Sequence, residues 1–187
     1  MTSHLGRRHL LAVAALVVVG CGPEVQTGPN LDRLPAHEGE LARSFDDSIE
    51  PSVFNLTLEA RSLQTDPLFA GRVRGADVVA TVRITTVTVQ RTDGKATFTL
   101  QFEPVKVHVG DLDPELLELR LTEKQSQAYS VLSAVQTRAQ KVSMVATFKR
   151  FREQNKAIPH FYFAPDNADT TKALQDALAL GALRTKP

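Results

Sequence analysis

The alternation of apolar and polar positions is strongest between Asp77 and Val109, where two runs rich in Val, Ile, Thr and Phe flank Asp93-Gly94. Asp-Gly accepts the positive φ angles of a two-residue type I′ turn, so the stretch predicts one long β-hairpin against which the other elements pack. With Thr92 facing Lys95, Val89 meets Phe98, Val87 meets Leu100, Val82 meets Val105, Ala80 meets Val107 and Val78 meets Val109, and every pair is apolar. The apolar set changes phase along both strands. In the first it is odd near the turn (Val87, Val89) and even beyond it (Val78, Ala80, Val82, Ile84). In the second it passes from even (Phe98, Leu100, Phe102) to odd (Val105, Val107, Val109), with Pro104 at the change. A coiled hairpin shared between two packed sheets would produce such a matched switch. The competing reading is a local bulge near Thr85-Thr86 with one half of the hairpin exposed.

Before the hairpin, Phe54, Leu56, Leu58 and Ala60 alternate as a first strand, and Pro67, Gly71 and Gly75 mark a loop. After it, Leu117, Leu119 and Leu121 predict a half-buried strand. Ala128, Val131, Leu132, Val135 and Ala139 then form one helical stripe within residues 125–140. Period two returns at Val142, Met144, Ala146 and Phe148, and again from Ile158 to Ala164 beyond a loop at Gln154-Asn155. Asp166 or Asn167 caps a last helix that turns Ala173, Leu174, Ala177 and Leu178 inward and stops at Gly181.

Composition adds the frame. The 187 residues carry a formal net charge of +1, which suits one globular domain with appendages and argues against nucleic acid as a partner. Residues 22–50 are interrupted by Pro23, Pro29 and Pro35 and are mostly acidic among their charges, the pattern of a flexible tether. Within it Leu41, Phe45 and Ile49 recur every four residues, which also suits a short docking helix. The expected organisation is a cleaved signal peptide over 1–20, a lipidated N-terminus and tether over 21–50, and a folded domain over 51–187.

The start of the chain carries that signal: Arg7 and Arg8, an apolar run from Leu10 to Val19 too short to span a bilayer, then Gly20 before the single cysteine, Cys21. Val18-Val19-Gly20-Cys21 resembles the bacterial lipobox. That resemblance implies lipidation of Cys21, removal of the preceding peptide and anchoring to the bacterial membrane, with Gly22 favouring the outer membrane. Arg7-Arg8 also resembles a twin-arginine export signal, though Gly6 and Leu10 depart from it, and the general secretory route is favoured.

From the hairpin onward the order is three strands, a helix, two strands and a helix. That order resembles a bent OB-type barrel or the related netrin-like module, with one inserted and one C-terminal helix, a mainly β fold of the α+β class; a generic α+β sandwich is the alternative. Phe69 to Val73, the hairpin and His160 to Asp166 resemble bacterial lipoproteins without an assigned activity.

Candidate chemistry is sparse. There is no Gly-x-Ser-x-Gly elbow, phosphate loop or dinucleotide fingerprint, so no catalytic residue and no cofactor is expected. His108 and His160 stand on separate strands, and a metal site combining them with Asp111 or Asp166 is weakly supported, so no metal is expected either. The most suggestive cluster is Lys149, Arg150, Phe151 and Arg152, with Lys156 and Tyr162 beyond it, a possible surface for an anionic polymer or glycan. The same cations also suit a strand edge protected from aggregation. The function expected is a non-catalytic binding or assembly module of the cell envelope, held at the membrane by its lipid and working with a protein partner. A polyanion or glycan binder and a hydrolase with an unrecognised site are the alternatives.

Overall fold

In the computed structural model, residues 30–56 and 62–184 are described. In chain order the elements are α1 (Gly39–Ser44), β1 (Ser48–Ile49), α2 (Pro67–Gly75), β2 (Val78–Thr92), β3 (Lys95–Val109), β4 (Glu118–Leu121), α3 (Ser126–Val135), β5 (Ser143–Glu153), β6 (Lys156–Pro165) and α4 (Ala168–Arg184). The strands form one curled, mixed six-stranded sheet in the order β1-β6-β5-β2-β3-β4, a half-barrel with helices against it. The protein is therefore mainly β, of the α+β class.

The hairpin forms as predicted at its turn, where Asp93 and Gly94 have φ of 52° and 79° and Thr92 faces Lys95. The expected register holds as far as Thr86 opposite Gln101, and there Thr85 becomes an extra residue, since Ile84 pairs with Phe102. This bulge explains the phase change. One extra residue returns the even positions Val78, Ala80, Val82 and Ile84 to the side occupied by Val87, and all five join the same apolar cluster as Phe98, Leu100 and Phe102. Two packed sheets are thus not what the switch encodes; the bulge is present as the competing reading has it, but of the half beyond it only β3 is exposed, while β2 is buried. Further register shifts pair Val82 with Pro104 rather than Val105, and Val79 with Val109, and leave Val105 and Val107 50% and 43% exposed.

The first half of β2 is nevertheless buried from both sides, because the second face of the sheet is covered by helices. Val79, Val145, Tyr162 and Ala164 pack under Phe69 and Val73 of α2 and Ala173, Leu174 and Ala177 of α4. On the concave side Ala128 and Leu132 of α3 join the larger cluster. A strand covered twice reads as a continuous apolar run, as Val78-Val79-Ala80 does.

Three expectations are corrected. The segment holding Pro67, Gly71 and Gly75 is helix α2, whose first turn is set by Pro67 and capped by the Asp66 side chain, which accepts the Leu68 N–H at 2.9 Å. The strand expected from Phe54 is a 3-10 turn over Pro51–Phe54; Leu58 and Ala60 lie outside the described residues. Gly181 does not end α4, although Asn167 caps it by accepting the Thr170 N–H at 2.9 Å.

The domain also begins earlier than residue 51. Phe45 and Ile49 are fully buried, and β1 runs parallel to β6, with Ser48 opposite Tyr162. Its outer edge is closed by the Gln127 side chain, which accepts the Ile49 N–H and donates to the Ile49 carbonyl, both at 2.7 Å. Arg72 locks the segment down from α2. Its Nε donates to the Ser44 carbonyl at 2.5 Å, and its guanidinium lies 3.6 Å from the centre of the Tyr162 ring. The part of the expected tether from residue 30 to 50 is thus folded structure, and the remainder, with the signal peptide and Cys21, lies outside the described residues.

Candidate functional site

Three separate segments meet at the far end of the β5–β6 hairpin. Gln154 and Asn155, with φ of 46° and 60°, make a tight turn that puts Glu153 at the end of β5 and lets β6 return with His160 on the face that carries Phe151. The chain before α1 lies along β5: Ala36 bridges Arg152 in parallel, and the Arg152 N–H donates to the Pro35 carbonyl at 2.8 Å. This sets His37 over the hairpin. After α1, Asp47 takes a left-handed conformation with φ of 54°, and its carboxylate accepts the Phe161 N–H at 3.1 Å.

The rings of His37 and His160 stack, with centroids 3.7 Å apart and planes 19° apart, and the Phe151 edge supports both. His37 Nε2 lies 2.9 Å from the Phe45 carbonyl, and a carbonyl only accepts, so this nitrogen carries a hydrogen. Its Nδ1 faces Glu153 Oε1, 3.3 Å away. His160 Nδ1 lies 3.0 Å from Asp47 Oδ2, and its Nε2 lies 2.8 Å from the same Glu153 oxygen. Two carboxylates can be satisfied by one imidazole only if both its nitrogens donate. Burial opposes a charge on His160, but the hydrogen bonds and charges of Asp47 and Glu153 outweigh it and raise the pKa above the ordinary histidine value. Both carboxylates thus lean on His160, and the Glu153 oxygen also faces His37 Nδ1.

Beside it lies a cleft of about 320 Å³ between β4 and the free stretch of β6 beyond β1. Asp47, Glu115, Glu118 and Glu153 supply carboxylates to its walls against Arg120 and the His160 ring, and Leu121, Phe148 and Phe161 supply apolar surface. The cleft favours a ligand that carries positive charge on an apolar body.

The residues singled out from sequence do not converge. Lys149 donates to the Gly75 carbonyl at 2.7 Å and pairs with Asp77 at 3.3 Å, and Arg150 pairs with Asp113. Phe151 is fully buried, Arg152 is exposed with its guanidinium 4.0 Å from Asp32, and Lys156 is exposed at the end of the turn. Tyr162 is buried beneath Arg72 with its hydroxyl on Glu50 at 2.9 Å, and burial followed by the Glu50 charge pushes its pKa far up. The basic run therefore offers only Arg152 and Lys156 as exposed cations. His108 binds Thr81 Oγ1 through Nε2 at 3.0 Å, and burial and then Lys106 lower its pKa against the pull of Asp166. Among the described residues, the group with metal-ligand spacing is instead His37, Glu153 and His160.

Sequence reasoning missed His37 because it was assigned to the tether. The signal that was present is the Gln154-Asn155 turn, which brings Glu153 back towards His160. The class so defined is an α+β half-barrel with a histidine–carboxylate cluster beside an acidic cleft. No protein family matches the chain, and no similar protein was found among curated proteins or solved structures.

Proposed function

We propose that this chain is a lipid-anchored binding module of the bacterial cell envelope, without catalytic activity, and that the acidic cleft between β4 and β6 receives a positively charged group of a protein partner. The observation that carries the reading is the cleft itself, four carboxylates and one arginine around an apolar floor. The anchor rests on the lipobox-like Val18-Val19-Gly20-Cys21. From Cys21 to Asn30 the backbone reaches at most about 32 Å however it runs, so the end of the domain near Asp32 and Arg152 would stay close to the lipid. The outer membrane is the favoured location.

The finer fold reading is an OB or netrin-like barrel left open between β4 and β6. Hairpin, third strand, helix, second hairpin and terminal helix occur in that order, and such barrels are often partly open. A polyanion or glycan ligand is the less supported alternative, since Lys149 and Arg150 already have acidic partners.

The test is site-specific photo-crosslinking in intact cells. A photoreactive residue at Arg120, in the cleft, is expected to yield a discrete adduct that disappears when Glu115 and Glu118 are both changed to lysine. The same probe at Glu103, on the exposed side of β3, should yield none. Equal adducts from both positions, or an adduct indifferent to the charge reversal, would overturn the cleft as the binding face.

A further inference from the structure

We propose that His37 Nδ1, Glu153 and His160 Nε2 form a binding site for a divalent transition metal, zinc by preference, with its fourth position open towards solvent and the acidic cleft. The site shares Glu153, His160 and Asp47 with the cleft wall and leaves Glu115 and Glu118 there for the partner's charge.

Four observations carry it. First, both imidazoles are held in the manner of metal ligands. In such sites the ring nitrogen away from the metal donates to a carbonyl or carboxylate, which fixes the tautomer and aims the other lone pair. Here Phe45 O holds His37 Nε2 at 2.9 Å and Asp47 Oδ2 holds His160 Nδ1 at 3.0 Å. Second, the nitrogens left over face one oxygen of Glu153, at 3.3 Å and 2.8 Å, and the ligand atoms of the three residues lie within 4.8 Å of one another. A tetrahedral zinc with bonds of about 2.0–2.1 Å separates its ligand atoms by about 3.3 Å, so the spacing suits one ion once the two rings turn out of their stack, whose planes now lie 19° apart.

Third, the charge balance asks for a cation. Glu153 and Asp47 bring two carboxylates to the histidine pair, and a divalent ion held there would balance both. Fourth, the donor set is selective. Two imidazoles and one carboxylate suit zinc and its late first-row neighbours rather than calcium or magnesium, and three protein ligands with one open position is an arrangement zinc accepts. The Glu153 side chain is 39% exposed, which gives the ion a way in, while His160 and Asp47 are held inside at 10% and 15%.

The experiment is calorimetric titration of the purified full chain, stripped with chelator, with zinc chloride at pH 7.5. One zinc per chain should bind with sub-micromolar Kd. Glu153→Gln and His37→Gln, both at partly exposed positions that tolerate an amide, should each weaken binding at least 100-fold, and Asp47→Asn about 10- to 100-fold through loss of its hold on His160. His108→Asn should leave the isotherm unchanged. Circular dichroism of each metal-free variant checks that it is folded, and Glu153→Gln, at the most exposed of the three positions, keeps the test decisive if another unfolds. Millimolar affinity, a stoichiometry well below one, or a folded Glu153→Gln variant that binds like the parent would overturn the site. In each of those cases the cluster is a hydrogen-bonded triad that only ties the N-terminal segment to the hairpin, and the cleft reading is untouched.

Discussion

Val82→Asp and Leu100→Asp are each expected to unfold the domain, whereas Val105→Asp should be nearly neutral. Val82 and Leu100 are fully buried in the same apolar cluster, on neighbouring strands but on either side of the Thr85 bulge. A carboxylate at either position would be buried without a partner, at a cost of about 4 kcal/mol or more. That is a large share of the 5–15 kcal/mol that typically holds a domain together. Val105 is the extra residue of a second bulge and is half exposed, so a charge there should change stability by no more than about 0.5 kcal/mol. Chemical denaturation followed by circular dichroism separates the cases. If Val105→Asp proves as damaging as Leu100→Asp, the outer half of β3 has a covering layer and the bulge-based assignment of its exposed face is wrong.

Cys21→Ser is expected to move the protein from the membrane pellet to the soluble fraction while residues 30–184 stay folded. One acyl chain holds a protein only marginally, and the two or three chains that the lipobox resemblance implies would hold it stably, so the change removes the whole anchor. The core does not depend on it, since the packing of Phe45, Ile49 and the sheet is made by residues beyond the cysteine. Fractionation with a high-salt wash decides the matter. A serine variant that still pellets is held by a protein partner or an apolar surface instead.

Much of the fold was legible where local chemistry and tertiary packing agree. The Asp93-Gly94 turn, the α3 stripe from Ala128 to Val135, the Asn167 cap and the period-two run from Met144 to Phe148 each appear where the pattern puts them, although α3 stops at Val135 and Ala139 lies in a 3-10 turn beyond it. Helix α2 was hidden because two glycines in nine residues read as breakers, although Asp66 and Pro67 were a legible start. Strand β1 was hidden for another reason. Two residues cannot show a period, and its edge is completed by Gln127, which is distant in sequence and carries no local pattern.

The candidate site was less legible still. Asp47 and His160 meet across 113 positions, so no spacing motif could announce them, and His37 lay in a segment whose prolines and acids suggested disorder. The run Lys149 to Arg152 misled because strand geometry sends neighbours to opposite faces, so a cluster in sequence is split in space. Phe151 goes inward against Phe45 and His37 while Arg150 reaches Asp113.

X-ray absorption at the zinc edge, on the full chain loaded with one equivalent of zinc, tests the metal centre most directly. The expected spectrum is four-coordinate, with imidazole scattering from two histidines and the remaining nitrogen and oxygen donors at about 2.0–2.1 Å. The histidine signal should halve in His37→Gln. A six-coordinate, all-oxygen shell, or two imidazoles that persist in that variant, would contradict the site.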